Sequence, residues 1–111
     1  MPVQVLLSQV GPLPITVNFN ALSDAPVYLE VNGSVWTQTA NNMIGIQVGI
    51  DGSVVGKAQI FSNTASTHRA VVPVYVPLQL KFGQHSLTLS AMPGSTTVSD
   101  FNDLYTAVLH Y

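Results

Sequence analysis

Between residues 43 and 76 every second residue is apolar in three successive runs. Ile44, Ile46, Val48 and Ile50 alternate with Gly45, Gln47 and Gly49. After Asp51-Gly52 the chain returns through Val54, Ala58 and Ile60, and beyond a polar loop, residues 62–68, come Ala70, Val72, Val74 and Val76. Period two is the signature of a strand with one buried face. Asp-Gly readily takes the positive φ angles of a type I′ hairpin turn. A β-sheet packed on one side follows, with these residues and Leu87 and Leu89 as the expected inward set.

The rest of the chain repeats the pattern. Residues 3–8 form an apolar run that Gly11-Pro12-Leu13-Pro14 breaks. Ile15, Val17 and Phe19 alternate, as do Val27, Leu29 and Val31, then Leu78, Leu80 and Phe82, then Leu87, Leu89 and Ala91. Asn32-Gly33 reads as a second hairpin turn, with residues 34–37 as the return strand. Pro73 marks an edge or a bulge, because proline has no N–H to give a ladder. The last strand covers residues 104–111, after a brief turn near residues 100–104. About eight or nine short strands and no convincing helix mean an all-β, antiparallel sandwich or barrel. At 111 residues it is a single domain, residues 1–111.

Charge narrows the function. There are three Lys and Arg and five Asp and Glu, only 7% of the chain, where an ordinary soluble domain has about a quarter. Obligate interfaces between copies deplete charge, so a homo-oligomer is expected. Lys57, Arg69 and Lys81 lie far apart, and phosphate recognition needs a cluster, so nucleic acid is not an expected partner. There is no cysteine, hence no disulfide framework or thiolate chemistry. No signal-peptide pattern and no apolar run of membrane-spanning length is visible, so membrane insertion is not expected.

Four segments resemble TNF/C1q-like jelly-roll domains. These are residues 50–56 (IDGSVVG), 72–77 (VPVYVP), 83–89 (GQHSLTL) and 105–109 (YTAVL). The resemblance covers mainly residues 51–111. It implies a jelly-roll topology, a homotrimer about a threefold axis, and a place as an extracellular, cell-surface or virion-associated head that engages a protein receptor or a glycan. The last strand agrees with it. Tyr105, Ala107, Leu109 and Tyr111 share one face and Val108 lies on the other, so the four are candidates for an oligomer interface.

Catalytic signatures are missing. No G-x-S-x-G nucleophile turn occurs. His68, His85 and His110 stand singly, without the spacing that pairs two imidazoles on one strand face, so no metal site is assigned and no cofactor is expected. Asp100, Asn102 and Asp103 fall well short of the six to eight oxygens calcium takes, and an Asx-type turn accounts for them. A non-enzymatic function is therefore expected: a trimer-forming head, or alternatively a lectin. Sugars are held by an aromatic platform beside neutral amides and hydroxyls. The candidate ligand-binding residues are Trp36 with Asn32, Thr37 and Asn41, and the loop Asn63, Thr67, His68 and Arg69.

Overall fold

The computed structural model describes residues 2–111. Ten strands are present among them: β1 (Val3–Val10), β2 (Ile15–Ala21), β3 (Pro26–Thr37), β4 (Asn42–Ile50), β5 (Ser53–Ser62), β6 (Arg69–Ala70), β7 (Val74–Gln79), β8 (Gly83–Ala91), β9 (Thr97–Val98) and β10 (Leu104–His110). Eight of them form two antiparallel sheets. One is ordered β1-β10-β3 with β7 on the far side of β3, and the other is β2-β8-β4-β5. The two-residue strands β6 and β9 extend the pairing of β3 toward its C-terminal end. This is the jelly-roll order, in which early strands reach across to late ones: β1 pairs with β10 and β2 with β8.

The core lies between the sheets. Leu29, Val31 and Val35 of β3 and Tyr105, Ala107 and Leu109 of β10 face Ile44, Ile46 and Val48 of β4 and Leu87 and Leu89 of β8, all with no solvent exposure. Each large side chain in that set contributes roughly 1.5–3 kcal/mol on burial. The alternation of residues 44–50 is thus confirmed, and the Asp51-Gly52 turn has the expected positive φ at both residues, 52° and 83°.

Four expectations are corrected. Val54 is 64% exposed, because the β4–β5 register shifts between Val48, opposite Gly56, and Gly49, opposite Val54. The extra residue, Val55, puts Val54 on the opposite face from Gly56, Ala58 and Ile60, which keep the inward register opposite Val48, Ile46 and Ile44. Ala70 and Val72 also face out, and Val71 fills the core instead. Here the strand beside β3 is interrupted between β6 and β7: the Val71 amide donates to Gly33 of β3, the Val72 amide to Gln59 of β5 in the other sheet, and Pro73 ends the run before β7 begins.

Asn32-Gly33 is not a turn. β3 runs straight through it for twelve residues. Gly33 serves packing, since a Cβ there would sit 2.5 Å from Cδ1 of Tyr105 and 2.9 Å from Cδ1 of Ile46. Finally, Tyr105, Ala107 and Leu109 are buried inside this one chain, so the face they share is core and not an interface for a second copy. Tyr111 is tied inward as well: its hydroxyl donates to Gln4 Oε1 (2.6 Å) and accepts from the Leu22 amide (3.0 Å).

Candidate functional site

Burial of Val27, Leu29, Val31, Val35 and Thr37 leaves Tyr28, Glu30, Asn32, Ser34 and Trp36 along the outer face of β3. At about 3.3 Å per residue this stripe is roughly 26 Å long. It has an aromatic ring at each end and a carboxylate, an amide and a hydroxyl between them. β3 lies between β10 and β7, so side chains from both flank the stripe.

At the Tyr28 end the neighbours are set by register. Tyr28 lies opposite His110 and Pro77, and Glu30 lies opposite Val108 and Tyr75. Tyr28 and Tyr75 are each 57% exposed. Glu30 accepts from His110 Nε2 (2.8 Å) and from Asn32 Nδ2 (3.0 Å), one donor on each oxygen. His110, then Asn32, and to a lesser extent Tyr75 hold the Glu30 carboxyl below the usual carboxylate range, so it carries its charge. Glu30 in turn pushes the Tyr75 phenol up. The Tyr75 and His110 rings lie 6.2 Å apart, tilted by 42°.

At the Trp36 end a buried carboxylate gathers three donors. Asp103 Oδ1 accepts from Ser34 Oγ (2.8 Å) and His68 Nδ1 (2.6 Å), and Oδ2 accepts from the Asp100 amide (2.9 Å). The His68 ring packs against Trp36, 5.9 Å between centroids. Its imidazole is held above its ordinary value chiefly by the Asp103 hydrogen bond. Ser34 touches the carboxylate and not the imidazole, so this trio lacks the serine–histidine contact that activates a nucleophile. His68, Asp100 and Asp103 also offer ligand atoms within 4.8 Å of one another, although both Asp103 oxygens are engaged by protein donors.

The structure therefore divides the residues expected from sequence. Asn32, Trp36 and His68 all lie along the stripe, Trp36 packed on His68 and Asn32 bonded instead to Glu30. Thr37 is fully buried, with its hydroxyl bonded to Thr96 Oγ1 (2.7 Å). Asn41 stands exposed in the loop before β4, at φ 62°. Asn63 and Thr67 are exposed in the β5–β6 loop, and Arg69 pairs with Val35, a core-facing position. Tyr28, Glu30, Tyr75 and His110 were missed. The alternation around them marks them as outward residues, but nothing local says that β3, β7 and β10 are neighbours.

A third acid–histidine pair fastens the β4–β5 turn to β8. His85 Nδ1 faces Asp51 Oδ2 (2.6 Å) and Nε2 faces the Lys81 carbonyl oxygen (2.7 Å). Both partners only accept, so both ring nitrogens must carry hydrogen and the ring is an imidazolium. Asp51, then the Lys81 carbonyl, raise the His85 pKa above its ordinary 6.5, and His85, then the Ser86 amide, lower that of Asp51 below 3.8. The His85 contribution is complete below about pH 6.5 and is lost as pH rises through the raised value; the Asp51 contribution is complete above about pH 4 and is lost as pH falls through the lowered one. The thermal midpoint is thus expected to be higher at about pH 5.5 than at about pH 9, with a smaller fall in His85→Gln. Equal midpoints at the two pH values would contradict the imidazolium.

No protein-family model matches the sequence, and no curated protein matches it. The fold does match solved structures. A family 35 carbohydrate-binding module from Clostridium thermocellum aligns with a TM-score of 0.51 and 11% identity over 96% of this chain and 90% of its own. An exo-β-1,3-galactanase from Phanerochaete chrysosporium aligns at 0.51 and 17% identity over 87% of this chain, and the insecticidal delta-endotoxin Cry8Ea1 from Bacillus thuringiensis at 0.54 and 11% over 86%. The chain spans only 21% of the galactanase and 18% of the endotoxin. These likenesses define a jelly-roll β-sandwich of the kind found in carbohydrate-binding modules. No described helix is long and apolar enough to cross a membrane.

Proposed function

We propose that the chain is a non-catalytic sugar-binding module, acting outside the cell or at its surface, that holds a glycan along the outer stripe of β3. The observation that carries this reading is the pair of half-exposed tyrosines, Tyr28 and Tyr75, set around the Glu30–Asn32–His110 network. A pyranose has an apolar C–H face and an equatorial rim of hydroxyls. The tyrosine rings suit the face, and a fixed carboxylate and amide suit the rim. Because the network already orients Glu30 and Asn32, a ligand does not have to order them on binding. The likeness to a carbohydrate-binding module supports the scaffold.

Tyr75→Ala is expected to weaken binding about tenfold, or 1.4 kcal/mol, for whichever glycan the wild type retains on an array. It sits on a partly solvated face, so folding should survive. An array on which the wild type retains nothing would refute the reading.

The trimeric TNF/C1q-like head is the second reading. With Tyr105, Ala107 and Leu109 in the core, its support moves to Val3, Val5 and Leu104, which are 55%, 63% and 52% exposed. They lie on the outer face of β1 and β10, beside the unpaired edge of β1. A solution mass near three times 11.8 kDa would favour it.

A further inference from the structure

Apart from the imidazoles of His68 and His110, the chargeable side chains on the outer face of the β3 sheet are acidic. Glu30, Asp100 and Asp103, three of the five acids in the chain, lie on or beside the stripe. The three basic residues lie elsewhere. Lys57 is on β5 of the other sheet, Lys81 precedes β8, and Arg69 occupies a register position opposite the core-facing Val35. The remaining acids are engaged away from the stripe, Asp51 with His85 and Asp24 with the Phe82 amide. Of the three acids on or beside the stripe, Glu30 stands beside the exposed tyrosines, while Asp100 and the buried Asp103 stand at the Trp36 end.

We infer that the β3 stripe selects glycans bearing a cationic nitrogen, such as de-acetylated or N-methylated amino-sugar oligomers, over neutral and acidic ones. The inference rests on the sugar-binding reading and names the ligand class of the same site. Its physical basis is twofold. An ammonium over the face of Tyr28 or Tyr75 gains from the ring quadrupole, and more so for a poorly hydrated quaternary nitrogen. Glu30, opposite Tyr75 and two residues along β3 from Tyr28, adds a carboxylate whose one basic neighbour on that face is the His110 imidazole, with no lysine or arginine beside it. A uronic acid would meet the same field with the wrong sign. Hydrogen bonding does not give this preference by itself, because Asn32 serves an acetamide as well as it serves an amine.

The test is a titration at neutral pH, where a quaternary nitrogen keeps its charge because it has no proton to lose. The probes are a hexamer of N-acetylglucosamine, the same hexamer de-acetylated and N-trimethylated, and an oligogalacturonate. The wild type is expected to bind the trimethylated hexamer about tenfold more tightly than the acetylated one, with the acidic oligomer weakest. Added salt should shrink the gap. Glu30→Gln is expected to bring the ratio of the two affinities close to one, whatever it does to the binding of the acetylated hexamer itself. A wild-type ratio of one or below overturns the inference while the sugar-binding reading stands, and a ratio unchanged in Glu30→Gln removes Glu30 as its source and overturns it equally. If the wild type binds neither hexamer nor any glycan on the array, the sugar-binding reading falls and the inference with it.

Discussion

Gly33→Val is expected to cost about 3 kcal/mol or more and to leave much of the chain unfolded at 37 °C. The added Cβ would stand 2.5 Å from the Tyr105 ring and 2.9 Å from Ile46. Neither neighbour can retreat: Tyr105 and Ile46 are fully buried and belong to opposite sheets. The substitution also discriminates between two structures. In a two-residue hairpin turn, Gly33 would be a left-handed position facing solvent, and valine would act through backbone strain alone. In a continuous β3, it acts by pushing the sheets apart. Gly52→Ala is the control, with φ 83° and open space around it, where only the backbone term applies. At about 4–8 °C per kcal/mol for a domain near this size, the two melting temperatures should differ clearly. Equal melting of Gly33→Val and wild type would disprove the continuous strand.

Asp103→Ala is expected to destabilise by about 3 kcal/mol. The carboxylate is fully buried, and its removal strands the Ser34 hydroxyl, the His68 imidazole and the Asp100 amide at once. Each buried donor left without a partner costs about 1–3 kcal/mol, reduced for His68, whose side chain is 38% exposed and can turn to water. Asp103 backbone groups hold the same junction, with N bonded to the Asp100 carbonyl and the carbonyl accepting from Gly11. Loss of the side chain should therefore also loosen the turn before β10, seen as faster amide exchange at Asp100 and Gly11. A denaturant midpoint within error of wild type would show that the network is ornamental.

Much of the scaffold was legible in the sequence because alternation is local. Ile44 to Ile50 needed only their own spacing, and Asp51-Gly52 only its dipeptide chemistry. Asn32-Gly33 carries the same dipeptide signal, yet it is overridden by Tyr105, which lies far along the chain and supplies the contact that makes glycine necessary. The bulge that turned Val54 outward depends on how β5 meets β4, and no property of Val54 announces it. The stripe was half visible for the same reason. Trp36 and Asn32 stand out by residue type, whereas Glu30, Tyr75 and His110 become a site only once β7 and β10 take their places beside β3. The last strand was misread in the opposite sense: its apolar face is explained by the second sheet of its own sandwich, without a partner subunit.

β10 fills the gap between β1 and β3, with Val3 opposite His110 and His110 opposite Tyr28. The sheet that carries the stripe therefore cannot close while the ribosome still holds the segment Leu104–His110. Until then β1 and β3 each expose an unpaired edge, the condition under which nascent strands cross-pair between neighbouring chains. Other strands can begin sooner, because the β4–β5 hairpin needs nothing beyond Ser62. The order of synthesis thus gives this molecule a half-built stage in which β2, β8, β4 and β5 can already pair as one sheet while β1 and β3 wait for β10.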